Sequence, residues 1–286
     1  MPDAPPSAKS GEVLRFDDVS LHFDDTPALD HVSFQMNAGE TRVVLGAAGS
    51  GKTMLLKTAI GLVKQDSGSI FLLGEDISHR EEEELYDIRG GVGILFQEGG
   101  LFDSLTIAEN VAYPLVNRHS KDRNTPPDDA EIDRRVREAL RFVELEQTLD
   151  KYPSELSGGM RRRVGIARAA VTEPPLLLYD SPTAGLDPIT AYTIISLILK
   201  DRDLRNTATI MVTHRYQDGH LMANFRYNPN SGKIEPASRN GTGSGGRVNT
   251  KYLVMNEGRL VFDGSESELI ATHDPYISKF VKVRRS

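Results

Sequence analysis

The 286-residue sequence lacks cysteine altogether, so disulfide bonds and metal sites built on thiolates are excluded. It also lacks a surplus of positive charge, since 34 Lys and Arg residues stand against 41 Asp and Glu residues and the formal net charge is −7. Nucleic-acid-binding proteins usually present a basic face, and we therefore expect no nucleic-acid partner. The absence of cysteine fits a cytosolic protein.

Long hydrophobic runs are missing as well. The longest apolar stretches, such as residues 176–179 and 194–199, are far too short to span a bilayer. Residues 1–11 contain Pro5 and Pro6 and no apolar core flanked by basic residues, which predicts a flexible tail and not a signal peptide. We expect a cytoplasmic location, and any work at a membrane would need another chain that crosses it.

Strand and helix patterns alternate along most of the chain. Strand patterns cover residues 14–34, 42–45, 69–73, 176–179 and 209–213. Helical patterns cover residues 52–63, 188–200 and much of 97–156. This alternation is typical of a parallel sheet covered by helices and predicts an α/β fold. We expect one domain over residues 12–286, with a helical subdomain at about 98–160.

The region near the carboxyl end has a different composition. Residues 227–250 contain Pro229, Gly232, Pro236 and the glycine-rich tract 241–246, which predict a mobile insertion. A strand pattern resumes at 252–261. Ser265 followed by Glu268 resembles a capping box and predicts a short helix that ends near Thr272.

Residues 46–53, Gly-Ala-Ala-Gly-Ser-Gly-Lys-Thr, form a P-loop motif between a predicted strand and a predicted helix. Such a loop turns several backbone N–H groups toward phosphate oxygens, and the following helix adds its positive end. The lysine would reach the β- and γ-phosphates, and the threonine would hold Mg²⁺. The sequence therefore predicts ATP and Mg²⁺ as cofactors, bound by Gly46, Gly49, Ser50, Gly51, Lys52 and Thr53.

Asp180 ends the apolar strand pattern at 176–179. A carboxylate at the carboxyl edge of a parallel sheet can hold Mg²⁺ through water. An ordinary turn aspartate before Pro182 is the alternative, and the P-loop makes the metal-binding role the preferred one.

The segment Leu156-Ser157-Gly158-Gly159, between the P-loop and Asp180, resembles the signature of ATP-binding cassette (ABC) ATPases. Gln97 resembles their Q-loop glutamine, residues 184–187 resemble their D-loop, and His214 resembles their switch histidine. The resemblance covers about residues 14–264 without the insertion. It implies a P-loop NTPase fold of the ABC type, with an antiparallel β subdomain and a helical subdomain.

The resemblance also implies site residues. The catalytic positions would be Gln97, Asp180, Ser181 and His214, and Mg²⁺ would lie among Thr53, Gln97 and Asp180. Beyond the P-loop, the nucleotide would contact Phe23, Ser157, Gly158, Gly159 and Asp187. A head-to-tail homodimer with two ATP molecules at its interface follows, because in this family the signature of one subunit faces the γ-phosphate held by the other.

Several of these residues have simpler interpretations that the sequence leaves open. Phe23 could be a packed strand residue instead of an adenine platform, and His214 could be a core or capping histidine. Ser157 could merely cap the helix that begins near Met160, although in the family both roles coincide.

A narrower resemblance lies inside the family. Residues 96–102 and 109–115, Met160 in the signature, Arg161-Arg162-Arg163 and residues 187–190 resemble the MlaF-type ATPases of MCE lipid-transport systems. The resemblance implies phospholipid transport with an MlaE-type membrane permease, and indirectly an MCE-domain protein, at the inner face of the cytoplasmic membrane. Leu101, Phe102 and Tyr113 would contact the permease, with core packing as the alternative for each.

Ser181 departs from the family pattern, which normally has a glutamate directly after the aspartate that corresponds to Asp180. A serine hydroxyl is a far weaker base than a carboxylate, and loss of a positioned base costs about 10²–10⁴ in rate. We expect slow ATP hydrolysis with nucleotide binding and dimer closure intact. Two alternatives stay open: Glu98 supplies the carboxylate, or the serine was introduced to trap a bound state. The runner-up function is an ATP-gated regulatory or assembly ATPase.

Overall fold

A computed structural model describes residues 11–97, 99–117, 128–237 and 249–281. The strands in this part of the chain are β1 (Glu12–Phe23), β2 (Thr26–Asn37), β3 (Thr41–Gly46), β4 (Ser67–Leu72), β5 (Glu75–Asp76), β6 (Val92–Leu95), β7 (Leu176–Asp180), β8 (Ala208–Val212), β9 (Phe225–Asn228), β10 (Lys233–Pro236), β11 (Thr250–Asn256) and β12 (Arg259–Gly264). The α-helices are α1 (Lys52–Ala59), α2 (Glu82–Arg89), α3 (Ile107–Val116), α4 (Asp129–Phe142), α5 (Gly158–Ala170), α6 (Pro188–Arg205), α7 (Tyr216–Asn224), α8 (Glu266–Ala271) and α9 (Pro275–Val281).

A six-stranded sheet with the order β12-β11-β3-β8-β7-β6 forms the centre of the fold. All neighbouring pairs from β11 to β6 are parallel, and β12 pairs with β11 in the antiparallel sense. Every residue of β3, β7 and β8 is buried, as expected for parallel strands covered on both faces. The segments that follow β3, β7 and β8 therefore meet at the carboxyl edge of the sheet.

A second, antiparallel sheet with the order β2-β1-β4-β5 packs beside the first. Side chains of β2 alternate between exposed and buried from His31 to Asn37, and the stacked rings of Phe16 and Phe34 lie 4.9 Å apart between centroids. The antiparallel β subdomain implied by the family resemblance is present.

The helical character predicted between residues 97 and 156 is confirmed. Thr106 caps α3 and forms a capping box with Glu109, and the Asp128 side chain accepts a hydrogen bond from the Glu131 N–H at the start of α4. Val136 and Leu140 are buried against the same core that covers one face of the parallel sheet. None of the helices in the described residues is long and apolar enough to cross a membrane.

Two predicted element boundaries are wrong. The helix that begins at Lys52 ends at Ala59 and not at 63, since Gly61 has φ +66° and turns the chain. The strand pattern at 252–261 is two antiparallel strands, β11 and β12, because Glu257 and Gly258 both adopt positive φ and reverse the chain.

The predicted insertion at 227–250 is described only in part. Its first part is a regular hairpin of β9 and β10, whose register pairs Tyr227 with Ile234 and which contacts α6. Residues 249–250 already lead into β11. The glycine-rich tract lies outside the described residues, as do residues 1–10 of the predicted tail, so both of those expectations stay predictions.

Candidate functional site

The P-loop follows β3 and has the backbone shape that its glycines predict. Gly49 and Gly51 have φ of +76° and +98°, a region that side chains rarely allow. A Cβ atom on Gly51 would lie 2.3 Å from the Ala28 carbonyl oxygen, and one on Gly46 would lie 2.4 Å from Ser50 Oγ. A side chain at Gly46 would collide with neighbouring atoms. A side chain at Gly51 would also collide, and the positive φ there disfavours any residue but glycine.

Lys52 is folded back onto its own loop. Its Nζ donates to the Ala47 carbonyl at 2.5 Å and to Ser50 Oγ at 3.2 Å. Burial lowers the pKa of the Lys52 ammonium, and the nearby Asp180 carboxylate opposes that shift. An ammonium held by neutral oxygens in this way is available to an incoming phosphate, which is the stronger acceptor.

Thr53 and Asp180 meet across the base of the loop. Thr53 Oγ1 donates to Asp180 Oδ2 at 2.9 Å, and Asp180 is 3% exposed at the end of β7. Two of the three side chains predicted to hold Mg²⁺, Thr53 and Asp180, thus lie together, and their hydroxyl and carboxylate oxygens are the hard ligands that this ion prefers. The donor set fits Mg²⁺, to which substrate phosphates would supply further oxygens.

Ser181 is held by contacts of its backbone and of its side chain. Its φ is +49°, its N–H donates to the Val212 carbonyl at 2.9 Å, and its Oγ donates to Asp180 Oδ1 at 3.1 Å. The hydroxyl therefore binds the neighbouring carboxylate. A left-handed conformation at a serine costs free energy and persists because the surroundings hold it.

Arg162 is a contributor that the sequence reasoning did not identify. Its guanidinium, nearly buried in α5, donates to the carbonyls of Ser181 at 2.9 Å, Pro182 at 2.8 Å and Ala184 at 3.3 Å. The signature helix thereby fixes the loop that follows Asp180. The basic triplet 161–163 marked the position, but nothing in the sequence distinguished the inward-pointing arginine.

Asp218 was also missed. It is 2% exposed, and its Oδ2 accepts hydrogen bonds from Thr183 Oγ1 and, at 3.0 Å, from Thr213 Oγ1. It joins the loop after Asp180 to the end of β8, directly before His214. His214 itself is exposed at the carboxyl edge of the sheet, so its interpretation as a core histidine is wrong.

The signature residues start α5. Ser157 Oγ accepts a hydrogen bond from the Met160 N–H at 3.3 Å, which confirms the capping role. Gly158 is exposed with no atom within 4 Å of a Cβ placed on it, whereas a Cβ on Gly159 would lie 2.6 Å from Thr190 Cγ2. The exposed amino terminus of α5 is therefore open to another molecule.

Asp187 caps α6 beside the signature. Its carboxylate accepts the N–H groups of Ile189 and Thr190, each at 3.0 Å, and the hydroxyl of Thr190 at 2.6 Å. The pKa of Asp187 is lowered, chiefly because the Thr190 hydroxyl donates a hydrogen bond to its carboxylate. Ile189 is 80% exposed, an unusual position for an apolar residue.

Phe23 and Gln97 lie at element ends on the surface. Phe23 is 51% exposed at the end of β1, so its interpretation as a packed strand residue is wrong. Gln97 is exposed just after β6. Glu98, the proposed replacement carboxylate, lies outside the described residues.

An apolar groove of about 440 Å³ opens beside Gln97. Its lining includes Ile94, Phe96, Phe102, Tyr113 and Arg168. The rings of Phe102 and Tyr113, both 42% exposed, lie 4.6 Å apart between centroids. Leu101 packs against the core, as the alternative interpretation of that residue predicted.

A P-loop after the third strand of the chain, an aspartate at the end of a neighbouring parallel strand and a helical subdomain define a P-loop ATPase. The family model described as ABC transporter matches residues 29–184. The chain belongs to the ATP-binding subunits of ABC transporters and is an ATPase of that type. The resemblance drawn from its motifs is confirmed at the level of the family.

The relatives differ in what they transport. A probable ribonucleotide transport ATP-binding protein, mkl, of Mycobacterium leprae is 35% identical over 277 residues, which cover 96% of this chain and 70% of that protein. The sulfate/thiosulfate import ATP-binding protein CysA 2 of Shewanella oneidensis is 34% identical over 269 residues, 94% of this chain and 66% of that protein. The chain thus spans roughly two thirds of the length of each of these relatives.

Two solved structures agree on the fold. A dimeric ATP-binding cassette in a post-hydrolysis state, bound to ADP and phosphate, superposes with a TM-score of 0.72 at 25% identity, covering 88% of this chain and 98% of that one. The cbiO1 protein of Clostridium perfringens, part of the cbiONQ transporter complex, gives a TM-score of 0.73 at 26% identity and covers 96% of each chain.

Proposed function

We propose that the protein is the ATP-binding subunit of a phospholipid transporter, that it closes as a head-to-tail dimer on two ATP molecules, and that it hydrolyses them slowly. One observation carries the slow hydrolysis: Ser181 Oγ, at the position of the family's glutamate, is hydrogen-bonded to Asp180 at 3.1 Å. The rest of the binding apparatus is intact around it.

The chain's own residues divide the work between binding and positioning. The P-loop N–H groups and Lys52 hold the phosphates, and a phosphate would draw the Lys52 ammonium away from the Ala47 carbonyl. Thr53 and Asp180, with Gln97 from the loop after β6, would hold Mg²⁺, which when bound neutralises charge on the phosphate oxygens. His214 at the end of β8 would contact the γ-phosphate, and Phe23 would stack on the adenine.

Ser181 limits the hydrolytic step. A hydroxyl bound to Asp180 takes no proton from water, and loss of a positioned base costs about 10²–10⁴ in rate. That factor corresponds to about 3–5 kcal/mol of barrier. Phosphoryl transfer relies largely on charge stabilisation, which Lys52, Mg²⁺ and His214 still supply, so turnover is slowed and not abolished.

Closure of the dimer would complete each site with the partner's signature. The exposed amino terminus of α5, at Ser157 and Gly158, would present a positive helix end to an anion. Asp187 and the exposed Ile189 lie beside it on α6, where the partner chain would cover them.

The transporter assignment rests on the apolar groove together with the MlaF-like motifs. An exposed aromatic pair beside Gln97 is suited to an apolar helix from a permease of the MlaE type, and it would link that helix to the nucleotide site. Through this permease the chain would lie at the inner face of the cytoplasmic membrane and act indirectly with an MCE-domain protein. The mkl relative is described as a ribonucleotide transport protein, so the lipid substrate rests on the motifs.

The test is purification of the tagged chain from its native membranes with two charge variants. Phe102→Glu places a carboxylate in the groove, and Leu204→Glu places one at a position on α6 that is 51% exposed. If the transporter assignment is right, a multi-spanning membrane protein with bound phospholipid co-purifies with the unsubstituted parent protein and with Leu204→Glu. It does not co-purify with Phe102→Glu.

A second function is favoured by Ser181 itself, because a subunit that hydrolyses slowly is suited to act as an ATP-gated regulator or assembly factor. In that case the parent would be recovered in a stable complex without membrane protein or lipid, and Phe102→Glu would leave the complex unchanged. That result would replace the transporter assignment.

A further inference from the structure

The C-terminal helix α9 reaches the P-loop through one side chain. The hydroxyl of Tyr276 accepts a hydrogen bond from the Ala47 N–H at 3.0 Å and donates one to the Met255 carbonyl at 2.8 Å. Ala47 is the second residue of the P-loop, and Met255 lies near the end of β11, next to β3. One hydroxyl thus bridges the loop and the sheet edge from which it emerges.

Tyr276 is well fixed in its place. The Asp274 side chain caps α9 by accepting the N–H groups of Tyr276 at 2.7 Å and Ile277 at 3.0 Å. Ile277 is 3% exposed in the main core, and the ring of Phe280 packs edge-on against the Tyr276 ring at 5.2 Å between centroids. The ring therefore holds its hydroxyl against the loop without depending on nucleotide.

The preceding helix ties the same C-terminal segment to the other side of the site. The Glu266 carboxylate on α8 accepts hydrogen bonds from Tyr216 Oη at 2.7 Å and Asn224 Nδ2 at 2.6 Å. Both partners belong to α7, which begins two residues after His214. The segment that carries Tyr276 is thereby anchored to the helix that follows the switch histidine.

The residue that Tyr276 holds is also the one that restrains Lys52. The Ala47 carbonyl accepts hydrogen bonds from Lys52 Nζ at 2.5 Å and from the Ser50 N–H at 3.2 Å. Both backbone polar groups of Ala47 are therefore hydrogen-bonded. Its N–H donates to Tyr276, and its carbonyl accepts from Lys52 and Ser50. Freeing the N–H would let the loop move, and binding would then have to order it again.

We propose that Tyr276 is a positioning residue for the P-loop, through which the C-terminal helix sets the affinity for the nucleotide phosphates. The hydroxyl orders the loop before nucleotide arrives, so that less ordering is needed on binding. A partner that draws α9 away from the loop would lower the affinity without touching any residue that contacts nucleotide.

The test is Tyr276→Phe, which keeps the ring and its packing on Phe280 and removes only the hydroxyl. Its matched control is Tyr227→Phe, which removes a hydroxyl from the β9–β10 hairpin. The primary measurement is the Kd of Mg²⁺-ADP at a temperature well below unfolding, because ADP reports on the P-loop without the γ-phosphate that meets the partner's signature. ATP turnover at saturating nucleotide is measured beside it.

Tyr276→Phe is expected to weaken ADP about fivefold, the effect of losing one neutral hydrogen bond. On a Ser181→Glu background, which gives a measurable rate, Tyr276→Phe is expected to leave the turnover number at saturating ATP unchanged, and Tyr227→Phe is expected to change neither quantity. Amide hydrogen exchange supplies a second measurement, in which the Ala47 N–H exchanges faster in Tyr276→Phe than in the parent.

An unchanged ADP Kd in folded Tyr276→Phe would overturn the proposal, since a bond that matters only for folding would lower the unfolding temperature and leave the affinity alone. Equal weakening in Tyr227→Phe would overturn it as well, because the effect would then not come from the contact with the loop. If Ala47 exchanges at the parent rate in Tyr276→Phe, the hydroxyl does not hold that N–H, and the proposal also fails.

Discussion

Three oxygen-bearing side chains meet at the centre of the site. Asp180 accepts from Thr53 through one carboxylate oxygen and from Ser181 through the other. A glutamate in place of Ser181 could make no such bond while ionised, because two carboxylates repel each other and neither can donate. In the proposed mechanism the serine would therefore remove a base, and its hydroxyl also engages the second carboxylate oxygen of Asp180.

His214 provides a test of the γ-phosphate contact. On a Ser181→Glu background, which gives a measurable rate, His214→Ala is expected to lower the turnover number by about 10²–10³, the cost of removing one donor to the developing charge. The Kd for ATP is expected to change little, and the exposed His79→Ala is the control. A weaker ATP affinity with an unchanged turnover number would instead assign His214 to ground-state binding.

The sequence predicts site residues where a backbone requirement or a motif marks them. The glycines of the P-loop were predictable because the loop needs a positive φ or a close approach at those positions, and Lys52, Thr53 and Asp180 follow from the motif. Arg162, Asp218 and Tyr276 were not predictable. Each acts on the site through carbonyls, hydroxyls or N–H groups distant in sequence, and only the folded chain brings these together.

Helix α5 connects the signature to the central sheet through unusually close packing. A Cβ atom on Gly93 of β6 would lie 2.0 Å from the Ala169 carbonyl oxygen, and one on Gly165 would lie 2.5 Å from Leu95 Cδ1. Two glycines, one on each element, thus allow the helix and strand to approach. This approach places Arg162 where it can reach the loop after Asp180.

The packing predicts that Gly93→Ala destabilises the protein. The added methyl meets backbone, which cannot turn aside as a side chain would, so a loss of about 1–3 kcal/mol in the free energy of unfolding is expected. Denaturant unfolding without nucleotide measures it. Gly158→Ala is the matched control, since nothing lies within 4 Å of its Cβ. Equal stability of Gly93→Ala and the parent would show that α5 packs less closely on β6.

Predictions of element type succeeded and predictions of element ends were less accurate. Short apolar runs identified β3, β7 and β8 because these strands are buried on both faces, and α6 followed from the alternation of strand and helix patterns. The end of α1 and the break between β11 and β12 depend on single residues with positive φ, which hydrophobic periodicity does not reveal. The hairpin β9–β10 was missed since its strands are short and only half buried.

At the scale of the whole molecule, the start of α5 and the start of α6 lie exposed on one surface, which the proposed head-to-tail dimer would cover. The amino terminus of α5 is exposed at Gly158, and the α6 start carries Ile189 at 80% exposure. The solved cassette that superposes on this chain with bound ADP and phosphate is a dimer. If the proposed site is built from two chains in the same way, hydrolysis depends on association.

Gly158→Asp tests this dependence without disturbing the subunit. The position has room for a side chain, and the carboxylate would lie where the partner's γ-phosphate is expected, so it would repel that anion. We expect the Kd of Mg²⁺-ADP to match the parent, with the ATP-induced dimer lost in light scattering. A variant that still forms the dimer with ATP would contradict the head-to-tail arrangement.

The most direct test of the central claim is Mg²⁺-dependent ATP turnover of the parent beside Ser181→Glu and Lys52→Ala. We expect the parent to turn over little faster than Lys52→Ala and Ser181→Glu to exceed the parent by about 10²–10⁴. ATP binding should persist in the parent and fail in Lys52→Ala. A parent well above Lys52→Ala, with little gain from the glutamate, would contradict the account and make Glu98→Gln the next variant to measure.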